Sequence, residues 1–401
     1  MEPGAFDGVK VVELAQWVFV PVAGALLADW GADVIRIEKL EGDPYRGLQT
    51  QGIGAGSGDV NLSLAMANRG KRSLAIDLQT ERGAEVLHEL LASADVLLTS
   101  LRPGALDRLG LSPEAVAEKY PNLVYARGLG YGARGPDADQ PGYDASAFFA
   151  RGGLAHILTP PDLDYPISQR GAMGDRNAAM GLAFGIAGAL LKRERTGRGS
   201  VVDVSLLATA MWTLTSDLLT VLQGHEPPRA GGRRMFNPLV GTYRTGDGRH
   251  VSLVFLQGDR YWGDLCRALD RADLADDPRF ADLAARGENA AECTAILDEE
   301  FGKRTYDEVK ALLAPLDAPW APVQAVNELP DDPQVIANGY IGEVDDGGLS
   351  YRLPTGSVQF DGQPPALRRA PEHGEHTEAV LLELGYEWEQ ITELAGEGVI
   401  P

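Results

Sequence analysis

Cysteine is nearly missing: the 401-residue chain has only Cys266 and Cys293. Two thiols cannot build a disulfide framework, and so few in so long a chain fits a reducing compartment. Positive charge is also short. Lys and Arg number 36 against 58 Asp and Glu, a net charge of -22. Such a surface repels polyanions, so neither nucleic acid nor an anionic membrane is an expected partner. No apolar run is long enough to span a bilayer. The longest small-and-apolar stretch, Ala178 to Leu191, is short and rich in Gly and Ala, and reads as a buried helix. The N-terminus, MEPGAFDGVK, has no basic start followed by an apolar run, so no signal peptide is expected and the chain is placed in the cytoplasm.

Several motifs are absent as well. Glu38 ends a strand pattern where dinucleotide folds place a ribose-binding acid. However, the first strand pattern is followed by AQWVFVPVAG, with no GxGxxG, so a nicotinamide cofactor is not expected. There is no Walker loop, no nucleophile elbow and no Ser-His-Asp spacing. The six histidines are scattered. His373 and His376 form the one close pair, in a Pro/Gly-rich segment with no third ligand in view, so no metal site is expected. Repeats and low-complexity tracts are not evident.

What remains is an ordinary globular composition, 44% hydrophobic and 23% charged, on a chain long enough for two domains. Short strand patterns recur at Lys10–Leu14, Asp33–Ile37, Ser73–Asp77, Asp95–Leu98 and Asn122–Ala126. Helix patterns lie between them, one of them from Val22 to Asp29 and another capped by Thr80. Strands alternating with helices predict an α/β fold, a parallel sheet with helices on both faces. From His225 the texture changes: a Pro/Gly/Arg segment, two strand patterns near Tyr243 and Val251, then amphipathic helices. This predicts a large domain over residues 1–224 and a smaller inserted α+β domain over 225–329. A thin C-terminal segment over 330–401 is expected to pack back on the large domain.

An anionic ligand would need a local basic cluster in so acidic a chain. Asn68-Arg69-Gly70-Lys71-Arg72, Lys39, Arg102 and Arg108 are the candidates for clamping phosphates; solvated surface charge is the plainer reading. Lys39 and the segment Ser100–Arg102 fall in loops after strands, where open α/β sheets bind ligands. Asp175 opens the apolar helix after Gly171-Ala172-Met173-Gly174. It reads as an N-cap, with Ala178 at the third helical position. The same place suits a nucleophile, because amides at a helix start favour an anion and can hold an oxyanion.

Taken together, these segments resemble class III coenzyme A transferases, the superfamily of formyl-CoA transferase, carnitine CoA-transferase and alpha-methylacyl-CoA racemase. The resemblance is carried by Asp7-Gly8-Val9, Leu27 to Ile35 with Glu38, Gly42-Asp43-Pro44, Asn68 to Ser73, Asp77-Leu78, Arg102-Pro103-Gly104, Leu109-Gly110-Leu111, Gly135-Pro136, Pro141-Gly142-Tyr143-Asp144, Gly174-Asp175 and Thr196 to Gly199. It is dense over residues 6–205 and loose in the small domain. It implies a Rossmann-like large domain, an interlocked homodimer and a CoA transferase that moves CoA from an acyl-CoA to a free small carboxylic acid through covalent aspartyl intermediates. CoA is then a substrate, and no tightly bound cofactor is expected. Asp175 matches the catalytic aspartate, for which an ordinary low pKa suffices.

By the same resemblance, Lys39, Lys71, Arg108 and Tyr143 fall at CoA-contacting positions. Val18, Asn68, Ser100, Arg102, Ala105 and Asp144 lie in or beside similar contacts, and Arg72 belongs to the same basic cluster. Other readings of the superfamily are a racemase-like isomerase and a non-catalytic CoA-binding protein. Racemase-like members carry a histidine where this chain has Tyr143, which counts against the first. An intact Asp175 counts against the second. Formyl-CoA transferase-like members have a glycine-rich loop where this chain has Ala230 to Met235, and a tryptophan where it has Leu48, so oxalate is not the expected acceptor.

Overall fold

The computed structural model describes residues 4–47, 60–229 and 237–401. The chain forms two compact units, Met1–Gly231 with Gln334–Pro401, and Gly232–Pro333.

The larger unit is built on six strands: β1 (Lys10–Leu14), β2 (Asp33–Glu38), β3 (Arg72–Ala75), β4 (Val96–Thr99), β5 (Val124–Leu129) and β6 (Val201–Ser205). Their order across the sheet is β3-β2-β1-β4-β5-β6. Every pairing is parallel, with Val11 opposite Val34 on one side and Val96 on the other. Central strands of a parallel sheet are covered on both faces, which explains their near-continuous Val, Ile and Leu content. Successive residues serve opposite layers. Val11, Val34, Val96 and Val124 pack with α1 (Phe19–Asp29) and a long later helix, Met173–Thr196. Val12, Ile35, Leu97 and Tyr125 pack on the other face, with the helix Glu81–Ser93 and the C-terminal helices Thr377–Glu383 and Trp388–Gly396.

The C-terminal segment is therefore part of the large unit's core. The Asp77 amide donates to the Val399 carbonyl, and the Ala75 amide to Thr377 Oγ1. The sixth strand lies outside the five foreseen from sequence. Its run, VVDVS, sits at the sheet edge and is only partly buried, so its apolar signal is weak.

The smaller unit has a three-stranded antiparallel sheet: β7 (Val240–Arg244), β8 (His250–Val254) and β9 (Trp320–Pro322). Helices Gly258–Ala268, Ala290–Gly302 and Tyr306–Leu313 close over a core that contains Tyr243, Leu253, Phe255 and Phe301. Both cysteines are buried as free thiols in that core. Among the described residues, no helix is long and apolar enough to cross a membrane.

Candidate active site

The sheet order reverses between β1 and β4, and open α/β sheets bind ligands outside the carboxyl ends of strands at such a switch point. A crevice of about 630 Å³ lies there. Its walls are the ends of β1 (Leu14 to Gln16), β2 (Glu38, Lys39) and β4 (Leu101), together with Asp77 after β3 and the short helix Pro103–Arg108. Lys39, Ala105 and Arg108 line it. Lys39 and Arg108 are exposed, and neither forms an ion pair among the described residues. Ser100 supports the wall: its Oγ accepts from the Gln16 amide at 3.1 Å. Arg102 is exposed and donates to the Asp139 carbonyl. Val18 is buried at the start of α1, so its side chain serves the core.

The structure does not bring Asn68, Lys71 and Arg72 to this crevice. They lie toward the opposite, amino end of β3. Lys71 Nζ is buried between the two Glu13 carboxylate oxygens (2.8 and 2.7 Å), the Pro21 carbonyl (2.7 Å) and Asn68 Oδ1 (3.1 Å). Burial pushes the Lys71 ammonium down and the Glu13 carboxyl up, and their mutual attraction opposes both shifts. Arg72 is held by Asp33 and Glu383. A cation already paired and buried has little left to offer a phosphate. Asn68 also accepts from Arg36, which pairs in turn with Asp43, and Arg36 and Asp43 line the crevice. Against the push of burial, Arg46 and Arg36 hold the neighbouring Glu38 carboxyl down to about 2.

Asp175 lies in the first turn of the helix Met173–Thr196, labelled α2 here, at the third helical position. The N-cap position belongs to Ala172, whose φ is 59°, and no side chain of the helix caps it. The expected capping role for Asp175 is thus corrected: the helix starts three residues earlier than its apolar run suggests. The anion at the helix start comes from elsewhere. Asp144, buried, accepts from the Gly174 amide at 3.0 Å. A carboxylate there is favoured by the helix dipole. Glycine is required at 174, since a Cβ would stand 2.2 Å from Phe148 and 2.4 Å from Asp144 Oδ1. The Arg176 amide already bonds to the Ala172 carbonyl, so it is not the free oxyanion donor expected from sequence.

The carboxyl of Asp175 is pushed up to about 7, mainly by burial and next by the Asp144 charge, while Arg176 pulls it down. That corrects the expectation of an ordinary low value. Burial likewise pushes Asp144 up, and the amides led by Gly174 hold it back. Tyr143 precedes Asp144 and is 57% exposed, its ring 5.7 Å from that of Trp17. Trp17, Tyr45, Gln16 and Arg36 had no sequence motif to single them out, and the Gly42-Asp43-Pro44 motif did not reveal the pairing of Asp43 with Arg36; only the fold brings them together.

The CoA-transferase family III model matches residues 6–377. The chain belongs to CoA-transferase family III. Family III relatives cover almost its whole length. It is 33% identical to the (R)-2-hydroxy-4-methylpentanoate CoA-transferase of Clostridioides difficile, over 98% of this chain and 99% of that one. It is 35% identical to the cinnamoyl-CoA:phenyllactate CoA-transferase of Clostridium sporogenes, over 97% and 95%. Among solved structures, a CAIB/BAIF family protein from Brucella suis superposes with a TM-score of 0.80 at 32% identity, covering 96% of this chain and all of that one. The family III chain described here is thus a CoA transferase acting on acyl-CoA. The two departures noted from formyl-CoA transferase-like members, Leu48 and Ala230 to Met235, lie outside the described residues.

Proposed function

We propose that this family III transferase moves CoA from an acyl-CoA to a free carboxylic acid with Asp175 as its covalent nucleophile. The observation that carries this is a carboxyl in the first turn of a helix, flanked by an obligatory glycine and held at a pKa near neutrality by burial and Asp144. An Asp175 oxygen attacks the thioester carbonyl carbon, and the C–S bond breaks to release CoA thiolate and leave a mixed anhydride. The thiolate then attacks the aspartyl carbonyl, freeing the first acid as its carboxylate and leaving an aspartyl-CoA thioester. The acceptor carboxylate attacks that thioester, and the returning thiolate takes the new acyl group. One thioester replaces another, so the covalent route conserves the acyl energy.

The nucleotide part of CoA is assigned to the switch-point crevice, where Lys39 and Arg108 supply free cations against the overall negative field. A homodimer is part of the proposal. The support is exposed apolar surface on the large unit, including Phe184 on α2 (79% exposed) and Trp212 in the next helix (80% exposed), around an open groove of about 730 Å³. Patches of this kind mark association surfaces. The two buried free thiols suit a reducing, cytoplasmic setting.

The test is covalent trapping. The enzyme is incubated with acyl-CoA without acceptor and treated with hydroxylamine, and its peptides are then read by mass. Modification should fall on the peptide containing Gly174-Asp175-Arg176. Label on another carboxylate, or full transfer by an Asp175→Asn variant, would overturn the assignment.

A further inference from the structure

We infer that the acyl pocket of this transferase is shaped for a hydrophobic acyl group of aryl size, and that Trp17 is its specificity-determining residue. This rests on the reading of Asp175 as the nucleophile. Trp17 has φ 70°, a left-handed conformation that a bulky side chain rarely adopts. The turn is held from below. The Trp17 amide donates to Asp43 Oδ2 at 3.2 Å, and buried Asp43 is paired with fully buried Arg36. Backbone strain maintained by a buried ionic network points to a side chain whose position matters.

The position is a central one. The Trp17 ring meets Tyr143 edge-on at 5.7 Å and 83°, and Tyr45 at 6.3 Å and 61°. The three rings come from three elements: the loop after β1, the short helix after β2, and the residue before Asp144. Tyr143 and Tyr45 connect to the turn that carries Asp175, and Trp17 stands between those two rings. Tyr143 is bonded to Asp144, whose carboxylate holds the Gly174 amide beside Asp175. The Tyr45 hydroxyl, raised mainly by burial, lies within the fields of Arg176 and Asp175. Edge-to-face packing leaves ring surface open to a further aromatic partner, and Tyr143 and Trp17 keep such surface uncovered. The nearby cation, Arg176, already donates to the Gly171 and Ala172 carbonyls at 3.0 and 3.3 Å. Those bonds commit one guanidinium nitrogen, Nη1, to the backbone.

Identity exchange isolates the acyl group: each acyl-CoA is incubated with its own isotopically labelled acid, and label in the thioester is followed by mass. The donors are 3-phenylpropanoyl-CoA, acetyl-CoA and succinyl-CoA. Wild type should favour the aryl donor in kcat/KM by about tenfold or more. Trp17→Gly suits the left-handed backbone and should fold. It should lose about tenfold of aryl exchange while acetyl exchange stays within about threefold; Trp17→Phe should keep most of the preference. Thermal melting checks folding, and if Trp17→Gly fails to fold, Trp17→Asn, which also tolerates a left-handed backbone, carries the same expectation. An aryl preference missing from wild type, or an equal loss on all donors, would overturn the inference and leave the transferase reading standing. No exchange with any donor, together with no label on Asp175, would remove both.

Discussion

A carboxyl raised to about 7 makes Asp175 depend on pH in two separable ways. Only the ionised form attacks a thioester, so kcat/KM should rise with pH and level off above about 7. Removing the neighbouring charge with Asp144→Asn should move that limb to lower pH, which a rate profile would show. Stability runs the other way. The folded pKa lies above the ordinary 3.8, so the folded state keeps a proton that the unfolded chain releases. This group's contribution is fully present below about pH 4 and is lost as pH rises through 7. Asp175→Asn should therefore melt higher than wild type at pH 8 and close to it at pH 4. A variant that melts lower at both would mean that the carboxylate is a structural anchor. Arg108 makes a simpler case. It faces the crevice without an ion pair among the described residues, so Arg108→Ala should raise the CoA dissociation constant by roughly ten- to a hundredfold through lost charge-assisted bonds. Calorimetric titration showing no change would move the phosphates elsewhere.

Between elements, charge is used as structure. Glu13 in β1, Arg36 in β2 and Lys71 ahead of β3 are buried together, and Gly24 of α1 leaves them room: a Cβ there would meet Glu13 Oε2 at 2.0 Å. Removing one partner leaves the other buried and uncompensated. Glu13→Gln should cost about 3–5 kcal/mol, read as a lower denaturant midpoint. Adding Lys71→Met should recover much of that loss, since an apolar pair of similar volume carries no desolvation penalty. If the single variant were neutral, water would have to reach the pair. The start of α2 follows the same logic. The Gly174 amide is satisfied by Asp144, thirty positions away in sequence, and Asp175, the proposed nucleophile, stands in the first turn of the helix. Reaction geometry at Asp175 therefore depends on how the segment Asp144–Ala150 is packed.

For the whole molecule, a net charge of -22 repels CoA at long range, and the two cations at the switch point must act locally. Binding should therefore weaken less steeply with salt than in a basic protein; the Debye length of about 10 Å at 0.1 M confines both signs of field. The exposed apolar side chains on the large unit carry the prediction about assembly. Light scattering at micromolar protein should give twice the chain mass, and Trp212→Asp should lower it or cause aggregation. A wild-type monomer would exclude the proposed homodimer.

Periodicity and composition determined five of the six strands of the parallel sheet and helices between them. The order of short motifs determined the family, and it singled out Asp175, Lys39 and Arg108 as site candidates. These features are local, set by side chains within one strand, turn or loop. The tertiary structure alone decided which charges are free. Lys71 and Arg108 look alike in sequence, but one is buried against Glu13 while the other faces an open crevice, because β3 presents opposite ends to the two. It also decided that Asp144, rather than Asp175, stands at the start of α2, and it buried Asp175 beside that charge, which together push its carboxyl up to about 7. The strained turn that sets Trp17 between two tyrosines rests on an Arg36–Asp43 pair that no local pattern encodes. Burial and long-range pairing depend on the packed chain as a whole, and a pKa or a ring position follows from them.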